Sequence, residues 1–366
     1  MLKQTLKALG RPVWNRLKIR IDGEIERQFA TQRAATEELH HAMALQIDEC
    51  RKGLTPDLRN LGEKLNELQD FVQSLPERFE KRNAELYRER IYLPPGPILG
   101  RSDPFMLHST CSVVDMLHPR YAEILGDIHH HFTYHRKTWE WVFVIHHLEK
   151  AGVLVEGSRG LGFGIGLERL PALFAKKGCS VLATDAPPEI GVASGWSTTG
   201  QHSSALDDLR YPSIVSNDIF NEKVSHRFCD MNAIPDDLTG FDFTWSSCCF
   251  EHLGSLEAGM QFVINSVEKT LKPGGIAVHT TEFNLSSEDE TVESGPTVLY
   301  RRRDMEELVR RLRARGHDVQ PFSLAPYSHP LDFHVDVPPY SGIPHMKLRL
   351  GKYAATSVGI CVRRGQ

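Results

Sequence analysis

The amino-acid sequence predicts an α/β fold, in which a mainly parallel sheet carries helices on both faces and follows a helical N-terminal region. Short apolar runs alternate with amphipathic helical segments from about residue 151 to residue 366, which is the order of repeated strand–helix units. Between the first apolar run and the first of these helices stand four alternating glycines, Gly160, Gly162, Gly164 and Gly166. The first third of the chain lacks this alternation.

Composition limits the classes of function. The chain has 366 residues, of which 40% are hydrophobic and 25% charged, as in an ordinary soluble protein with one large domain and an accessory part. A net charge of -4 argues against nucleic acid as an obligatory partner, because phosphate binding needs a basic face. Seven cysteines without a Cys-x-x-Cys pair, and no apolar run of about 20 residues, lead us to expect a reduced, cytoplasmic protein.

Residues 1–93 are predicted to be a helical region with a basic, amphipathic start. Every charged side chain before Asp22 is basic, and apolar residues, among them Trp14, recur there at helical spacing. One interpretation is peripheral contact with the inner face of a membrane. The others are a helix docked on the protein itself and a loose tail, because Gly10 and Pro12 interrupt the pattern.

A heptad pattern follows within the same region. Apolar residues alternate steps of four and three at Leu54, Leu58, Leu61, Leu65, Leu68, Val72, Leu75 and Phe79. This spacing is typical of a coiled coil and predicts a homo-oligomer assembled through the N-terminal helices. The alternative is a long helix packed on its own domain.

Residues 94–150 are predicted to be a linker, Pro94–Pro97, and a helical cap. The segment from Asp127 to Leu148 is rich in histidine, which suggests a metal site at first sight. Neighbouring histidines on a helix point in different directions, however, and a ligand set usually draws on spaced positions. We therefore expect no metal site but a helix that leads into the sheet, with Trp139 and Val142 facing it.

The glycine stretch is interpreted as strand, turn, helix and strand. Gly152–Val155 is the first predicted strand, the helix carries Leu167, Leu170, Leu173 and Phe174, and Ser180–Thr184 is the second strand, ending at Asp185. Glycines allow a ligand to approach the backbone, a helix N-terminus offers free N–H groups, and an aspartate at this position accepts ribose hydroxyls. The stretch lacks the Gly-Lys-Ser/Thr ending of a phosphate loop and the Gly-x-Gly-x-x-Gly spacing of a dinucleotide site. S-adenosylmethionine is the third ligand that fits.

The next strand ends carry further candidates for cofactor binding. Asp230, at the end of one apolar run, is placed to accept the adenine amine, with Met231 against the ring. The strand Phe241–Ser247 ends in polar residues, among them Ser246. Three polar or aromatic side chains in the long connection after Asp185 are candidates for substrate contact: Trp196, Gln201 and His202.

The later pattern completes the predicted sheet. Phe262–Leu271 is a predicted helix, Lys272–Gly275 a tight turn and Ile276–His279 a strand. Asp304, with Glu307 three residues later, is a predicted helix N-cap. The final predicted pair of strands covers Lys347–Leu350 and Ala355–Arg363.

Taken in order, the glycines, Asp185, the Asp230–Met231 pair, the Asp242–Ser247 strand and Leu271–Gly275 resemble the motifs of class I S-adenosylmethionine-dependent methyltransferases. The resemblance covers residues 152–364 and implies a Rossmann-like sheet in residues 151–366, S-adenosyl-L-methionine as cofactor and an antiparallel strand pair at the end. Arg159 stands where the family often has an acidic group near the loop. Glu156 or Glu168 is then expected to contact the methionine amino group.

The expected reaction is transfer of a methyl group, which for a hydroxyl acceptor also requires removal of a proton. His252 and His279 are the two candidate bases, with Glu251 and Glu282 as candidate partners. The N-terminal features resemble methyltransferases of bacterial polysaccharides, which implies O-methylation of a sugar hydroxyl in a cell-surface glycan or its lipid-linked precursor. The alternatives are a small-molecule O- or N-methyltransferase, a nicotinamide oxidoreductase and a non-catalytic coiled-coil scaffold.

Overall fold

The computed structural model describes residues 27, 30–46, 64–65, 68–69, 97–187 and 206–366. Contacts divide the chain into two units, Met1–Asn83 and Ala84–Gln366. In the first unit, residues 30–46 form a helix whose side chains are mostly exposed. Of the heptad pattern, Leu65 and Leu68 are described, both in helical conformation. The basic N-terminal segment, the rest of the heptad pattern and residues 94–96 of the predicted linker lie outside the described residues.

The second unit contains ten strands and seven α-helices among its described residues. The strands are β1 Arg159–Phe163, β2 Ser180–Asp185, β3 Val224–Phe228, β4 Phe241–Ser247, β5 Gly254–Ser255, β6 Leu271–Asn284, β7 Ser294–Gly295, β8 Asp318–Val319, β9 Lys347–Leu350 and β10 Tyr353–Arg363. The helices are α1 Val113–Leu117, α2 Pro119–Asp127, α3 Arg136–Lys150, α4 Leu170–Lys176, α5 Asn217–Lys223, α6 Leu256–Asn265 and α7 Arg302–Ala314.

Eight strands form one sheet in the order β3-β2-β1-β4-β6-β10-β8, with β9 paired to β10. The strands β3, β2, β1, β4 and β6 are mutually parallel, and β10 runs antiparallel to β6, β8 and β9. Strands β5 and β7 form a separate two-stranded sheet. We call the edge at which the parallel strands end the carboxyl edge. This arrangement agrees with the predicted α/β class.

Each face of the sheet has its own hydrophobic core. On β4, Phe243 and Trp245 belong to one cluster, together with Trp139 of α3, whereas Phe241 belongs to the other. The second cluster also includes Phe262 of α6 and Leu308 of α7. Residues two apart share a face in a regular strand, but the register of β4 with β6 shifts between Phe241 and Phe243, and at this irregularity the two rings join different clusters.

The predicted first strand, Gly152–Val155, is wrong. The structure places β1 seven residues later, at Arg159–Phe163, and Val155 is exposed. Glycine has low strand propensity, so Gly160 and Gly162 were read as a turn, but both lie inside β1 beside the large rings of β4. The predicted helix is also shorter, because α4 begins at Leu170 and Leu167 remains exposed.

Other element boundaries need smaller corrections. Helix α6 starts earlier than predicted, at Leu256 with Ser255 as N-cap, and a π-helical segment, Ser266–Thr270, continues it to within one residue of the predicted end. The predicted turn Lys272–Gly275 is an irregular part of β6, which continues to Asn284. The N-cap of α7 is Arg301 rather than Asp304, whose carboxylate instead accepts the Arg301 backbone N–H from the third helical position.

Two local predictions are confirmed. Trp139 and Val142 of α3 are fully buried, and β9 and β10 form the predicted antiparallel pair. In the described part of the chain, we find no helix with the length and apolarity that a membrane span requires.

Candidate functional site

The sheet reverses its strand order between β1 and β4. From β1 the chain proceeds to β2 and β3 on one side, then crosses to β4 on the other side of β1. Open sheets of this kind bind ligands in the crevice outside the carboxyl ends of the two strands where the order reverses. The residues that follow β1 and β4 therefore define the candidate site.

The four glycines divide into two pairs with different roles. A Cβ atom at Gly160 would lie 2.3 Å from the Phe243 ring, and one at Gly162 would lie 2.5 Å from the Trp245 ring. The missing side chains of these two glycines make room for the aromatic rings of β4 and not for a ligand. The structure therefore gives no support to the prediction that Gly160 and Gly162 bind the cofactor. Gly164 and Gly166 follow β1 with φ of +56° and +51°, a left-handed backbone that favours glycine. The candidate ligand loop is thus Gly164–Gly166.

Asp185 ends β2 and is 1% exposed. Its Oδ2 accepts a hydrogen bond from the Gly166 N–H at 3.2 Å, and its Oδ1 accepts one from the Ala186 N–H at 2.8 Å. The carboxylate thus fastens the glycine loop to the end of the neighbouring strand. Its predicted contact with a ribose stays a prediction.

Asp230 and Met231 lie just beyond β3, on the same edge. Oδ1 of Asp230 accepts from the Asn232 N–H at 2.8 Å, which fixes the turn. Met231 is 8% exposed, and its sulfur would lie 3.6 Å from a Cβ atom at Gly164. The structure therefore brings Met231 next to the glycine loop, where a ring could lie against it.

His279 does not lie at a strand end, because β6 continues five residues beyond it. Its imidazole is fully buried, with Nδ1 2.8 Å from Ser246 Oγ and Nε2 2.9 Å from Ser266 Oγ. Burial lowers the pKa of His279 to about 3. A buried, neutral imidazole whose two nitrogens are both engaged cannot take a proton from a substrate, so this prediction is corrected. Ser246 is likewise committed to the core.

His252 lies in the short 3₁₀ turn after β4, and its side chain is 28% exposed. Its Nδ1 is 2.8 Å from the Pro296 carbonyl oxygen and 3.2 Å from Thr297 Oγ1. Glu251, the predicted partner, is fully buried, accepts from Thr281 Oγ1 at 2.9 Å and comes only within 3.9 Å of His252. The role of His252 as a base stays a prediction.

Glu282 belongs to a buried ionic cluster on the α3 face of the sheet. The Arg136 guanidinium donates to Glu282 at 2.5 Å and to Glu140 at 3.3 Å. Ser357 Oγ donates to Glu140 at 2.5 Å, and Arg136 also reaches the Cys248 sulfur at 3.5 Å. Burial would lower the pKa of Arg136, but Glu282 beside it raises that pKa above its usual value. Glu282 is therefore a partner of Arg136, not of a histidine.

Sequence reasoning missed this ionic cluster. Arg136 was read only as part of a histidine-rich helix, although a charged residue in the first turn of a helix that packs on a sheet is a detectable signal. Cys248, directly after β4, has φ of +53°, which is uncommon for a residue other than glycine. Burial raises the pKa of its thiol well above the usual value, so the thiol is protonated.

The two acidic candidates for the methionine amino group lie at different places. Glu156 is exposed and precedes β1, at the edge opposite the glycine loop, which removes it from the site. Glu168 follows the loop and is 6% exposed, and its Oε2 accepts from Trp245 Nε1 at 3.2 Å. Burial raises the pKa of Glu168 to about 8, so it is largely protonated at neutral pH.

The predicted substrate residues Trp196, Gln201 and His202 lie outside the described residues. Among the residues described, one group has ligand atoms spaced closely enough for a metal, within 4.8 Å of one another: Cys248, Glu251 and Glu282. Both carboxylates of this group already have partners, because Arg136 pairs with Glu282 and the Thr281 hydroxyl donates to Glu251.

No family model matches the chain, and a search of curated proteins finds no match. Among solved structures, the chain is similar to the glycopeptide N-methyltransferase MtfA complexed with sinefungin, at 17% identity over 63% of this chain and 87% of that one, with a TM-score of 0.37. It is similar to a putative sarcosine dimethylglycine methyltransferase from Galdieria sulphuraria, at 15% identity over 63% and 85%, with a TM-score of 0.35. It is also similar to an S-adenosylmethionine-dependent methyltransferase from Clostridium acetobutylicum, at 13% identity over 63% and 92%, with a TM-score of 0.34.

Proposed function

We propose that the second unit is an S-adenosylmethionine-dependent methyltransferase. The observation that carries the proposal is the left-handed loop Gly164–Gly166, held by the Asp185 carboxylate at the point where the strand order reverses. This loop supplies bare backbone, and Asp185 a negative charge, at the carboxyl edge.

The residues present fit the proposed cofactor. A Cβ atom at position 164 would lie 2.7 Å from the Cys249 sulfur, so the glycine loop is packed directly on the segment that follows β4, at the point where the strand order reverses. Gly164–Gly166 would hold the methionine portion, Asp185 the ribose hydroxyls and Asp230 with Met231 the adenine. S-adenosylmethionine supplies an activated methyl group, and the chain then has to orient the acceptor toward it.

Calorimetric titration tests the donor site. We expect the protein to bind S-adenosylmethionine and S-adenosylhomocysteine, and Asp185→Asn to weaken both, because the amide cannot accept from two ribose hydroxyls as the carboxylate does. Asp218→Asn, in the first turn of α5, is the exposed control. Folded protein that binds neither compound would favour the scaffold interpretation, and binding of NAD in their place would favour an oxidoreductase.

We further propose that the acceptor is a sugar hydroxyl of a cell-surface glycan or of its precursor. The segment between β8 and β9 exposes Tyr327, Phe333 and Tyr340, and aromatic rings offer a surface to the apolar C–H faces of sugars. Transfer of a tritiated methyl group to p-nitrophenyl glycosides would support this acceptor class. Transfer only to small molecules without a sugar would contradict it and favour the small-molecule alternative.

Self-association and membrane contact through residues 1–93 rest on the sequence pattern. We expect the full chain to sediment as an oligomer and a chain beginning at Pro94 to sediment as a monomer. We also expect the full chain alone to bind vesicles that contain anionic lipid. A truncated chain that still assembles would place the interface in the second unit.

A further inference from the structure

In the segment between β8 and β9, the imidazole of His345 is held by the carboxylate of Asp336. Nδ1 of His345 lies 2.6 Å from Oδ2 of Asp336, and the two side chains are 10% and 4% exposed. A carboxylate only accepts, so Nδ1 carries the proton, and in a neutral imidazole the lone pair is on Nε2. Within the described ranges, Nε2 of His345 makes no hydrogen bond. The geometry is that of an oriented base.

The carboxylate itself is held firmly. Oδ1 of Asp336 accepts from the backbone N–H of Ser341 at 2.9 Å and from its hydroxyl at 3.1 Å, and Oδ2 accepts from the Gly342 N–H at 3.0 Å. Burial would raise the pKa of Asp336, but the hydrogen bonds from His345 and from this backbone lower it overall. Asp336 is therefore an anion that fixes the ring orientation of His345.

The pair lies at the carboxyl edge. The His345 carbonyl oxygen accepts from the Arg136 backbone N–H at 3.0 Å, and the Arg136 side chain extends from there to Cys248, after β4, and to Glu282, near the end of β6. The His345 backbone is thus linked through Arg136 to the residues that follow β4 and to the last part of β6, at the carboxyl edge.

The groups around His345 favour a transient positive charge there. His135 stacks on its ring at 4.8 Å, and burial, with His345 and Arg136 nearby, lowers the pKa of His135 to about 3, so this neighbour is neutral. Tyr340 meets the ring edge-on at 5.3 Å, and burial raises the pKa of its hydroxyl. Burial also lowers the pKa of His334 and keeps it neutral. Of the nearby cations, Arg136 is paired with Glu282, and the Lys137 ammonium lies 3.7 Å from Glu140.

Exposed apolar side chains accompany the pair. Val337, Tyr340 and Ile343 all lie in the stretch that joins Asp336 to His345, and all three are exposed. A ring-shaped acceptor that covers such a surface would bring a hydroxyl close to Nε2.

We propose that His345, oriented by Asp336, is the base that removes the acceptor proton, in place of His252 or His279. This inference rests on the proposed methyltransferase function. The hydroxyl oxygen bonds to the methyl carbon, the electron pair of the carbon–sulfur bond stays with sulfur to give S-adenosylhomocysteine, and the hydroxyl proton passes to Nε2 of His345. No further reactant is needed.

The test is His345→Asn, assayed with tritiated S-adenosylmethionine and p-nitrophenyl glycosides. The asparagine amide takes the place of Nδ1, so it keeps the bond to Asp336 and removes only the proton acceptor. We expect kcat to fall by about 100-fold or more, with the dissociation constant of S-adenosylmethionine within about twofold of wild type, since a base on the acceptor side does not contact the donor. Asp336→Asn should shift the ascending limb of the kcat/KM pH profile, which a purely structural role would leave in place. The exposed His131→Asn is the matched control.

Different results separate this inference from the proposed function. Activity of His345→Asn close to that of wild type, or loss of activity in His252→Asn alone, would overturn the role of His345. If wild type binds S-adenosylmethionine but labels no glycoside, the proposal of a sugar acceptor is rejected, and the proposal that His345 is the base still has to be decided. Long-range ¹H–¹⁵N spectra then decide: the neutral Nδ1–H tautomer of His345 supports the pair, and the Nε2–H tautomer overturns it.

Discussion

Replacement of Arg136 by methionine should destabilise the second unit strongly. The side chains of Arg136 and Glu282 are 8% and 4% exposed, so their ion pair at 2.5 Å is shielded from water. Removing one partner of a buried pair leaves the other charge unpaired and typically costs about 3–5 kcal/mol. Glu140 would keep its bonds from Ser357 and Thr280, so we expect most of the loss to come from Glu282.

Urea denaturation, followed by the fluorescence of the buried Trp139 and Trp245, measures this loss. The double variant Arg136→Met/Glu282→Leu removes both charges and should recover much of the stability, because apolar side chains often replace a buried ion pair at little cost. The control is Arg302→Met, whose ion pair with Glu306 is half exposed and therefore screened by water, so this variant should unfold at nearly the same urea concentration as wild type. A loss below about 1 kcal/mol for Arg136→Met, or a double variant no better than the single one, would refute the reasoning.

Three further predictions concern glycine packing and buried titratable groups. Gly162→Ala should cost at least about 1–3 kcal/mol through overpacking, whereas Gly126→Ala, in α2 with open space around it, should be neutral or stabilising. Burial raises the pKa of Glu168 to about 8 in the folded protein, so the stability that its protonation provides is complete below about pH 4.5 and is lost as the pH rises through 8. As the pH rises between these values, the free energy of unfolding of Glu168→Gln, measured by urea titration, should therefore increase relative to that of wild type. Burial lowers the pKa of His279 to about 3, so its contribution is present above about pH 6.5 and is lost as the pH falls; His279→Asn should reduce this acid sensitivity and leave the pH profile of methyl transfer unchanged.

Each of these predictions can fail on its own terms. Equal stability of the two alanine variants would mean that the β1 backbone moves away from Trp245 without cost. If the difference in unfolding free energy between Glu168→Gln and wild type stays constant with pH, Glu168 is ionised in the folded protein. If His279→Asn shifts the activity profile, the imidazole reaches the substrate after all.

What could be predicted from the sequence was local. The apolar run that ends at Asp185, the α3 pattern around Trp139 and the β9–β10 pair each depend on neighbours within a few residues, so their periodicity identifies them. They locate Asp185 at the end of β2, on one side of the candidate site.

What could not be predicted depends on distant residues. Gly160 and Gly162 belong to a strand because Phe243 and Trp245, about 83 positions later, fill the space above them. His279 looked like a strand end because the run Ile276–His279 was apolar, but β6 continues through polar residues that pair with β10. Glu282 was assigned to a histidine because its partner Arg136 belongs to a helix that precedes the whole sheet.

The pairing of α3 with β10 also bears on biosynthesis. Ser357, which donates to Glu140, follows that residue by 217 positions, and Glu282 follows Arg136 by 146 positions in the sequence. During synthesis, chains emerge N-terminal end first, at roughly 5–20 residues per second. Of this ionic cluster, the nascent helix therefore has only its internal Arg136–Glu140 pair for many seconds, and burial of its apolar face against the sheet has to wait for the later strands. A ribosome stalled before residue 282 would present α3 without Glu282 and without β10, the two partners that complete its buried face.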